Sequence, residues 1–377
     1  MARVLMVLGK SVTALSTLRA LKPLKGQGYR LYSVATGNTE NFPFQSRIPD
    51  RKILMQDGLT EGLLAIAADF DSKPILLFTA DEDVVETSRN RSRLEPFYDF
   101  MLPDAEMVDL LMEKGKFDAF AARHQLSVPN TVHVHSEEEL KKLPGRLRFP
   151  IILKPYLLHA IRIDEAAQLD ALPKELDTVH YRSMIAQEFI EGGDDNLYFC
   201  FLLFNQQGDI VHSLTARKLR QWPVSYGTTS LAKTVENNAL WKEVKKFAQA
   251  IRGLGYCSVE YKFDPKSKRF YIMEPTVGRF NQQVSLSVAA GVNFPLAYVR
   301  MLDGGAVQEK PQRSGIYWIF ESNDFFACLR SGKRYGYLKN FLRPHIRVLF
   351  SWTDPMPFLF EIFSLGRKKL RKWKFHV

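Results

Sequence analysis

Apolar and polar positions form two alternating patterns along the N-terminal part of the chain. A continuous apolar run is typical of a buried parallel strand, and apolar residues at every third or fourth position are typical of a helix. The two patterns follow each other in "RVLMVLG", "SVTALSTLRALKPL", "YRLYSVA", "LLAIAADF" and "KPILLFTAD". This order predicts an α/β domain with a parallel sheet over residues 1–104.

The pattern becomes less regular after residue 104 and predicts a small layer of mixed structure. "DAEMVDLLMEKGKFDAFAARHQLSVP" has continuous helical spacing, and "NTVHVH" has the alternation of a strand. Ser136 followed by Glu139 is a capping-box signature for the next helix. The apolar run "FPIILKP" then predicts a strand that ends at Lys154. Together these segments predict a small αβ unit over about residues 117–187.

A large antiparallel sheet is predicted over about residues 188–305. The long apolar segments "NLYFCFLLF" and "DIVHSLTARKLRQWP" flank a Gln-Gly turn and form a predicted hairpin. The helix "NALWKEVKKFAQAIRGLG" and a second hairpin, "VEYKFDPKSKRFYIMEPTVGR", follow. Two helical pieces complete this unit, and residues 306–377 remain as a C-terminal extension with a basic tail.

The second hairpin carries one glutamate on each strand, Glu260 and Glu274. Alternation puts Glu274 on the same face as Phe270 and Ile272. If Asp264 pairs with Phe270, Glu260 lies directly opposite Glu274, and like charges in that position destabilise a sheet. A shared Mg²⁺ would reverse the sign of this interaction, because Mg²⁺ binds one or two carboxylates together with phosphate oxygens. The alternative is that each glutamate pairs with a lysine or an arginine.

Composition narrows the class of protein. The chain is 46% hydrophobic and 25% charged, which is typical of a globular protein. Its three cysteines, Cys200, Cys257 and Cys328, have no paired spacing, which indicates a reducing compartment rather than a disulfide framework. The short N-terminal apolar run predicts a first strand and not a signal peptide. These features predict a cytoplasmic protein.

The net charge of +11 is concentrated in the tail "GRKKLRKWKFHV". Two interpretations stay open for this tail: a solvated basic helix end, or a segment that contacts an anionic membrane surface from the cytoplasmic side. The chain contains no recognisable nucleic-acid-binding module, so we do not expect nucleic acid as a partner.

A phosphate-binding loop is the first candidate motif, because "GKS" at residues 9–11 matches the end of that pattern. The full motif needs a glycine at the position of Val4, so Gly9 is instead predicted to allow the tight turn from strand to helix. Lys114 and Lys154, taken singly, are ordinary surface charges.

The ordered set of segments resembles an ATP-grasp ligase over residues 1 to about 305. The segments that carry the resemblance are "MEKGKF", "VPNTV", "FPIILKP", "AQEFIEGGDDN", "RKLRQWP" and "VEYKF…FYIMEPTVGR". The chain is most similar to uncharacterised bacterial carboxylate–amine ligase-like members with a grasp domain of the carbamoyl-phosphate synthase type. The resemblance implies an N-terminal Rossmann-like pre-ATP-grasp domain, a small αβ lid subdomain and a large antiparallel-sheet subdomain.

The resemblance also implies a role for individual residues. Two lysines would contact the ATP phosphates, four residues would form the adenine hinge, and one of two aspartates would bind ribose. Two basic residues would face phosphate or the acyl phosphate, a further arginine would meet phosphate or substrate, and two glutamates with an asparagine would bind Mg²⁺ or Mn²⁺. In that order these are Lys114 and Lys154; Gln187, Glu188, Phe189 and Ile190; Asp194 or Asp195; Lys218, Arg220 and Arg279; and Glu260, Glu274 and Asn281.

Two departures from the family pattern concern the metal and the lid. Thr276 occupies the position where the family commonly has an asparagine ligand, and Asn281 is the candidate substitute. The segment "YLLHAIRIDEAAQ" stands in place of the usual glycine-rich lid.

The expected activity is Mg²⁺-dependent formation of a C–N bond from a carboxylate and an amine, with ATP as the phosphoryl donor. A thiol is the less favoured nucleophile. The alternative function is an ATP-binding scaffold without ligation, which the two departures and the basic tail motivate.

Overall fold

The computed structural model describes residues 2–155, 160–174, 176, 178–224, 227–308, 310–331, 338, 340–342 and 346–374. For residues 114, 115, 173, 174, 183 and 367–374 it describes the backbone alone. The predicted order of units is present: a parallel sheet, a small antiparallel sheet and a large, mostly antiparallel sheet follow one another along the chain.

The N-terminal unit is a parallel sheet of four strands in the order β3-β2-β1-β4. The strands are β1 Arg3–Leu8, β2 Tyr29–Thr36, β3 Arg51–Met55 and β4 Ile75–Phe78, and the helices are α1 Val12–Leu21, α2 Phe42–Gln45, α3 Leu59–Ile66, α4 Asp81–Arg89 and α5 Arg91–Leu94. The turn after β1 has the predicted role for Gly9, whose φ is +122° and whose added Cβ would collide with Thr79 Oγ1. Ser11 then caps α1 by accepting a hydrogen bond from the Thr13 N–H.

Two helices connect the first two units, α6 Ala105–Met112 and α7 Lys114–Arg123. The sequence predicts one continuous helix here, but Glu113 has extended backbone angles (φ −101°, ψ 111°) and separates the two pieces. A residue with this conformation cannot continue the helical hydrogen-bond ladder.

The small unit contains β5 Thr131–Val134, α8 Glu137–Lys141, β6 Ile151–Lys154, β7 Ile161–Ile163 and β8 Met184–Glu188. Its strands form an antiparallel sheet in the order β5-β8-β6-β7. The predicted cap of α8 is confirmed, since the Ser136 hydroxyl accepts from the Glu139 N–H.

The large unit is a sheet of seven strands in the order β13-β12-β9-β10-β11-β14-β15. All neighbouring pairs are antiparallel except β14 and β15. Its elements are β9 Leu197–Phe204, β10 Ile210–Trp222, β11 Thr228–Thr234, α9 Asn238–Ile251, β12 Gly255–Asp264, β13 Arg269–Val277, α10 Val284–Ala289, α11 Phe294–Leu302, β14 Tyr317–Ile319, α12 Glu321–Arg330, β15 Ile346–Arg347 and α13 Met356–Lys374.

The C-terminal residues are part of the large sheet and do not form a separate extension. β14 pairs with β11, and Trp318 of β14 is fully buried. Asp354 lies buried against the N-terminal unit, where it accepts hydrogen bonds from Arg19, the Ser46 hydroxyl and the Arg47 N–H. The part of the C-terminal extension up to Asp354 therefore packs on the core.

Three hydrophobic cores are present in the described residues. Two of them combine side chains of the N-terminal sheet with side chains of the large sheet, so these units pack as one body. The third is drawn entirely from the small unit, between Val132 and Ala186. Among the described residues, no helix combines the length and the apolar composition needed to cross a membrane.

Candidate functional site

A cleft of about 1060 Å³ lies where the three units meet. The N-terminal unit contributes Thr13, Thr79, Asp81 and Glu82 from the ends of its strands and helices. The small unit contributes β6 and β8, and the large unit contributes one face of β9, β10, β12 and β13. A cleft of this size, with apolar walls and a few convergent charged groups, is typical of a small-molecule site.

The acidic hairpin has the predicted pairing of Glu260 with Glu274. The register that led to this prediction is wrong, because Asp264 pairs with Arg269 and not with Phe270. A β-bulge after Ile272 adds one residue to β13 and brings the two glutamates opposite each other.

The bulge also changes which residues share a face of β13. Phe270 and Ile272 point into the hydrophobic core, whereas Glu274 lies on the other face and lines the cleft. The predicted common face of Phe270, Ile272 and Glu274 is therefore wrong. Val259 opposite Pro275 continues the pairing, and Pro275 is tolerated because β13 is the edge strand of the sheet.

Lys218 forms a salt bridge with Glu260, with 2.9 Å between Lys218 Nζ and Glu260 Oε2. The lysine side chain is only 4% exposed, so this positive charge is held at the wall of the cleft. The lysine pairing that was one of the open alternatives thus applies to Glu260. Glu274 is exposed to the cleft and takes part in none of the salt bridges among the described residues.

Lys218 also anchors a polar chain that leads toward Asp194. Lys218 Nζ lies 3.4 Å from Gln221 Oε1, and Gln221 Nε2 donates to Asp194 Oδ1 at 2.8 Å. Burial raises the pKa of Asp194. Asp195 is instead an exposed partner of Arg217, at 3.0 Å. Of the two candidate ribose-binding aspartates, Asp194 is the one connected to the cleft wall.

Arg220 does not face the cleft with Lys218. Its guanidinium forms two hydrogen bonds with Asp324 of α12, at 2.8 and 2.7 Å, and Asp324 is fully buried. Strict alternation would put Lys218 and Arg220 on one face, but the strand has register shifts on both sides of Arg220. This bulge turns Arg220 toward α12, which differs from the phosphate-facing position expected from the sequence.

Arg279 lines the cleft and bridges two units. Its Nε donates to Asp81 Oδ1 of α4 at 2.6 Å, and its backbone forms a parallel bridge with Phe78 at the end of β4. Asn281 also lines the cleft, where its Oδ1 accepts from the Tyr256 hydroxyl at 3.2 Å. The loop after the second glutamate is therefore fixed against both the N-terminal sheet and the large sheet.

The predicted hinge residues form the opposite wall of the cleft. Lys154 Nζ lies 3.1 Å from Gln187 Oε1, and the Gln187 amide donates to Thr131. The Glu188 carboxylate is held by Asn130 and by the Arg148 N–H, which is a structural role.

Phe189 and Ile190 complete this wall. The Phe189 N–H donates to Pro150, so that group is already used within the small unit. Ile190 is buried at the cleft.

Two cations that the sequence did not indicate contact the Phe189 ring. The Arg162 guanidinium lies 4.2 Å from the ring centroid and Lys262 Nζ lies 4.3 Å from it. Burial lowers the pKa of Lys262, while the charges of Glu191 and Asp194 act in the opposite direction. Lys262 could have been found from the sequence, because it lies two residues after Glu260 on the same strand and therefore shares its face.

Two expectations fall outside what the structure describes. The side chain of Lys114 is not among the described ones, and residues 156–159 of the segment that replaces the glycine-rich lid are not described. Thr276 lines the cleft beside Glu274.

The donor set of the acidic hairpin is suited to a hard divalent cation. Glu260, Glu274 and Asn281 offer only oxygen atoms, and Mg²⁺ prefers oxygen ligands with some positions left for phosphate. Within the described part of the chain, no group of three or more His, Cys, Asp or Glu side chains could hold a metal by itself.

Comparisons with known proteins agree with this architecture. No family model matches the chain. A D-aspartate ligase of Enterococcus faecium is 22% identical over 227 residues, a match that spans 54% of this chain and 53% of that relative. The chain thus covers about half the length of this curated relative.

Solved structures match a larger part of the chain. N5-carboxyaminoimidazole synthetase of Staphylococcus aureus in complex with ADP superposes with a TM-score of 0.65, at 12% identity, over 83% of this chain and 81% of that one. L-amino acid ligase of Bacillus licheniformis gives a TM-score of 0.58, at 16% identity, over 80% of this chain and 74% of that one. The chain has the ATP-grasp fold, so the fold that the sequence resemblance implied is confirmed.

Proposed function

We propose that this protein is an ATP-dependent ligase that joins a carboxylate to an amine. The observation that carries the proposal is the convergence of Lys154, Lys218, Glu260, Glu274 and Arg279 on one cleft of an ATP-grasp fold. The names of the similar proteins, a D-aspartate ligase and an L-amino acid ligase, favour an amine as the nucleophile over a thiol.

ATP fits the cleft with its adenine between the hinge and the large sheet. We propose that Gln187, Phe189 and Ile190 contact the base, and that Asp194 binds a ribose hydroxyl. Because the Phe189 N–H is already used by Pro150, the edge of the base would meet the backbone at Ile190. Lys154 would contact the phosphates, and the sequence assigns Lys114 the same task.

The metal would be held by the acidic hairpin. Glu274 is accessible to the cleft, Glu260 is held by Lys218, and Asn281 is the oxygen donor that could replace the missing asparagine at Thr276. Bound Mg²⁺ would neutralise negative charge on the phosphate oxygens.

The reaction then follows from positioning and charge. The substrate carboxylate attacks the γ-phosphorus, which forms an acyl phosphate and releases ADP. The amine attacks the acyl carbon, an amide forms and phosphate leaves. Lys218 and Arg279 would stabilise the charge on the transferring phosphoryl group. The carboxylate and the amine would bind at the end lined by Thr13 and Asp81, next to Arg279.

ADP release over a panel of carboxylates, amines and thiols tests this proposal. We expect ADP formation that needs Mg²⁺, stops with a chelator and falls by about 100-fold or more in Glu274→Gln. Because Glu274 is exposed, this variant should unfold at the parent temperature. Glu138→Gln, an exposed change on α8, is the matched control and should keep full activity.

The alternative function gives a different result in the same assay. A nucleotide-binding scaffold would bind ATP tightly but release no ADP with any substrate pair. The substitution of Thr276 for the expected asparagine favours this alternative. ADP release with thiols but never with amines would also contradict the proposed C–N chemistry.

A further inference from the structure

Large exposed apolar side chains are concentrated near the C-terminal end of the described chain. Trp352 is 88% exposed, Phe363 67% and Ile362 49%, and Leu359 and Met356 are also exposed. Single exposed apolar residues are normal on protein surfaces, but a group of them in one short segment marks an interaction site. We call these five residues the C-terminal apolar surface.

The helix α13 has an exposed apolar face, flanked on its two sides by phenylalanines that contact the rest of the chain. On one side Phe360 makes an edge contact with Phe42 at 5.7 Å, and on the other Phe358 packs against Phe350 at 5.4 Å. On the outer face, Met356, Leu359 and Phe363 recur at helical spacing and remain exposed. The outer face therefore does not serve the core of this chain.

Trp352 extends the outer face beyond the start of the helix. Its ring contacts Phe350 at 4.8 Å in an edge arrangement, and Phe350 in turn contacts Phe358 of α13. The indole is thus attached to the same aromatic group as the helix, although most of its surface is open to solvent. An indole combines an apolar body with one polar group, which suits a boundary between water and hydrocarbon.

The basic residues that follow the apolar surface indicate a partner with negative charge. Residues 367–374 are "RKKLRKWK", with six lysines and arginines and no acidic residue. An apolar helix face next to a dense basic segment is the pattern of helices that lie in the interface of anionic membranes. Because no described helix can span a bilayer, a contact parallel to the membrane plane is the consistent geometry.

We propose that the C-terminal apolar surface, together with the basic residues of α13, docks on an anionic lipid bilayer. The apolar side chains would enter the acyl boundary, and the basic segment would contact the lipid headgroups. This proposal does not depend on the proposed ligase activity, because the surface is built from residues that do not line the cleft.

Sedimentation of the full chain with vesicles tests the proposal. We compare neutral phosphatidylcholine vesicles with vesicles that contain phosphatidylserine as well, at low and high salt. We expect binding to the anionic vesicles to be about tenfold tighter than to neutral ones and to weaken as salt increases.

Two pairs of variants separate the contributions. Ile362→Ser with Phe363→Ser should weaken binding at least tenfold, while Phe97→Ser, an exposed apolar change elsewhere, should not. The double change Lys368→Glu with Lys372→Glu should also weaken vesicle binding at least tenfold. Its control, Lys242→Glu with Lys245→Glu on α9, should have a much smaller effect on binding. All four proteins should keep the parent melting temperature.

The proposal is overturned if the full chain binds neutral and anionic vesicles equally weakly, or if the variants bind as the parent does. A second copy of this chain is the competing occupant. In that case sedimentation equilibrium would find a dimer that Ile362→Ser with Phe363→Ser converts to a monomer, and vesicle binding would not change.

Discussion

At the scale of single residues, the difference between Lys218 and Arg220 is the clearest result. Both are basic residues on β10, and the sequence predicts that both face the cleft. Lys218 does so, but Arg220 is paired with the buried Asp324. A buried ion pair of this kind is costly to break, because the remaining charge loses its partner without regaining water.

We therefore predict that Asp324→Asn lowers the free energy of unfolding by about 3 kcal/mol. Ser230→Ala removes one hydrogen bond to the same carboxylate and should cost only about 1 kcal/mol. Urea unfolding measures both. If Arg220 served ATP instead, Arg220→Met would raise the KM for ATP and leave the unfolding midpoint unchanged.

Asp83 gives a prediction about pH. Burial, with the charges of Glu82 and Glu86 added, raises the pKa of Asp83 to about 7, and Lys10 acts in the opposite direction. The folded protein then holds a proton that the unfolded chain releases above about pH 4. This group therefore favours folding at low pH, and that contribution is lost as the pH rises toward 7.

Asp83→Asn should consequently stabilise the protein at pH 8, by on the order of 1 kcal/mol, and have a smaller effect at pH 5. Thermal unfolding at the two pH values is the measurement. Asp57→Asn, a change of another aspartate in the N-terminal unit, is the control. An equal gain at both pH values would contradict the predicted titration of Asp83.

At the scale of elements, the turn between β1 and α1 depends on the absence of a side chain at Gly9. Gly9→Ala should lower the free energy of unfolding by about 3 kcal/mol, because the backbone has a positive φ and the new Cβ would overlap with Thr79. Gly291 also has a positive φ, but nothing lies within 4 Å of an added Cβ. Gly291→Ala should therefore cost about 1 kcal/mol, and equal losses in urea unfolding would contradict the steric explanation.

The sequence predicted most of the helices and strands. Apolar runs and helical spacing were sufficient for β1, β6 and α9, because each is long or strongly patterned. Alternation along a strand also indicated the face of Glu260, whereas Lys218 was expected from the family resemblance. These predictions need only local information.

Features that depend on pairing between distant segments could not be predicted. The bulge in β13 and the register shifts around Arg220 are set by how neighbouring strands fit, and no local pattern encodes them. β14 and β15 have three and two residues, too few to give a periodic pattern. Arg162 was missed because its position over Phe189 depends on the way in which the small unit packs.

At the scale of the whole molecule, residues of the C-terminal part of the chain belong to the hydrophobic core. The predicted extension from residue 306 onward contributes Trp318, Phe320, Val348 and Leu349 to a core shared with the N-terminal sheet. The C-terminal segment is therefore needed by the rest of the fold and is not an appendage.

A chain that ends at residue 310 should consequently fail to unfold cooperatively, because it lacks β14 and the buried side chains just named. A chain that ends at residue 366 should keep the parent melting temperature within about 2 °C, since it loses only the basic end of α13. Circular dichroism during heating distinguishes the two. Cooperative melting of the shorter chain at the parent temperature would contradict this view of the C-terminal segment.

The separate core of the small unit has a consequence for how the protein responds to ATP. Because this core shares no side chains with the other two, the small unit can open locally at a lower free energy than global unfolding. A nucleotide that contacts Lys154 and Lys218 together would connect two otherwise independent cooperative units. Bound nucleotide would stabilise the small unit against local opening, so the amide hydrogens of β6 and β8 would exchange more slowly. The exchange rate would then report how much of the cleft is occupied, even when no reaction takes place.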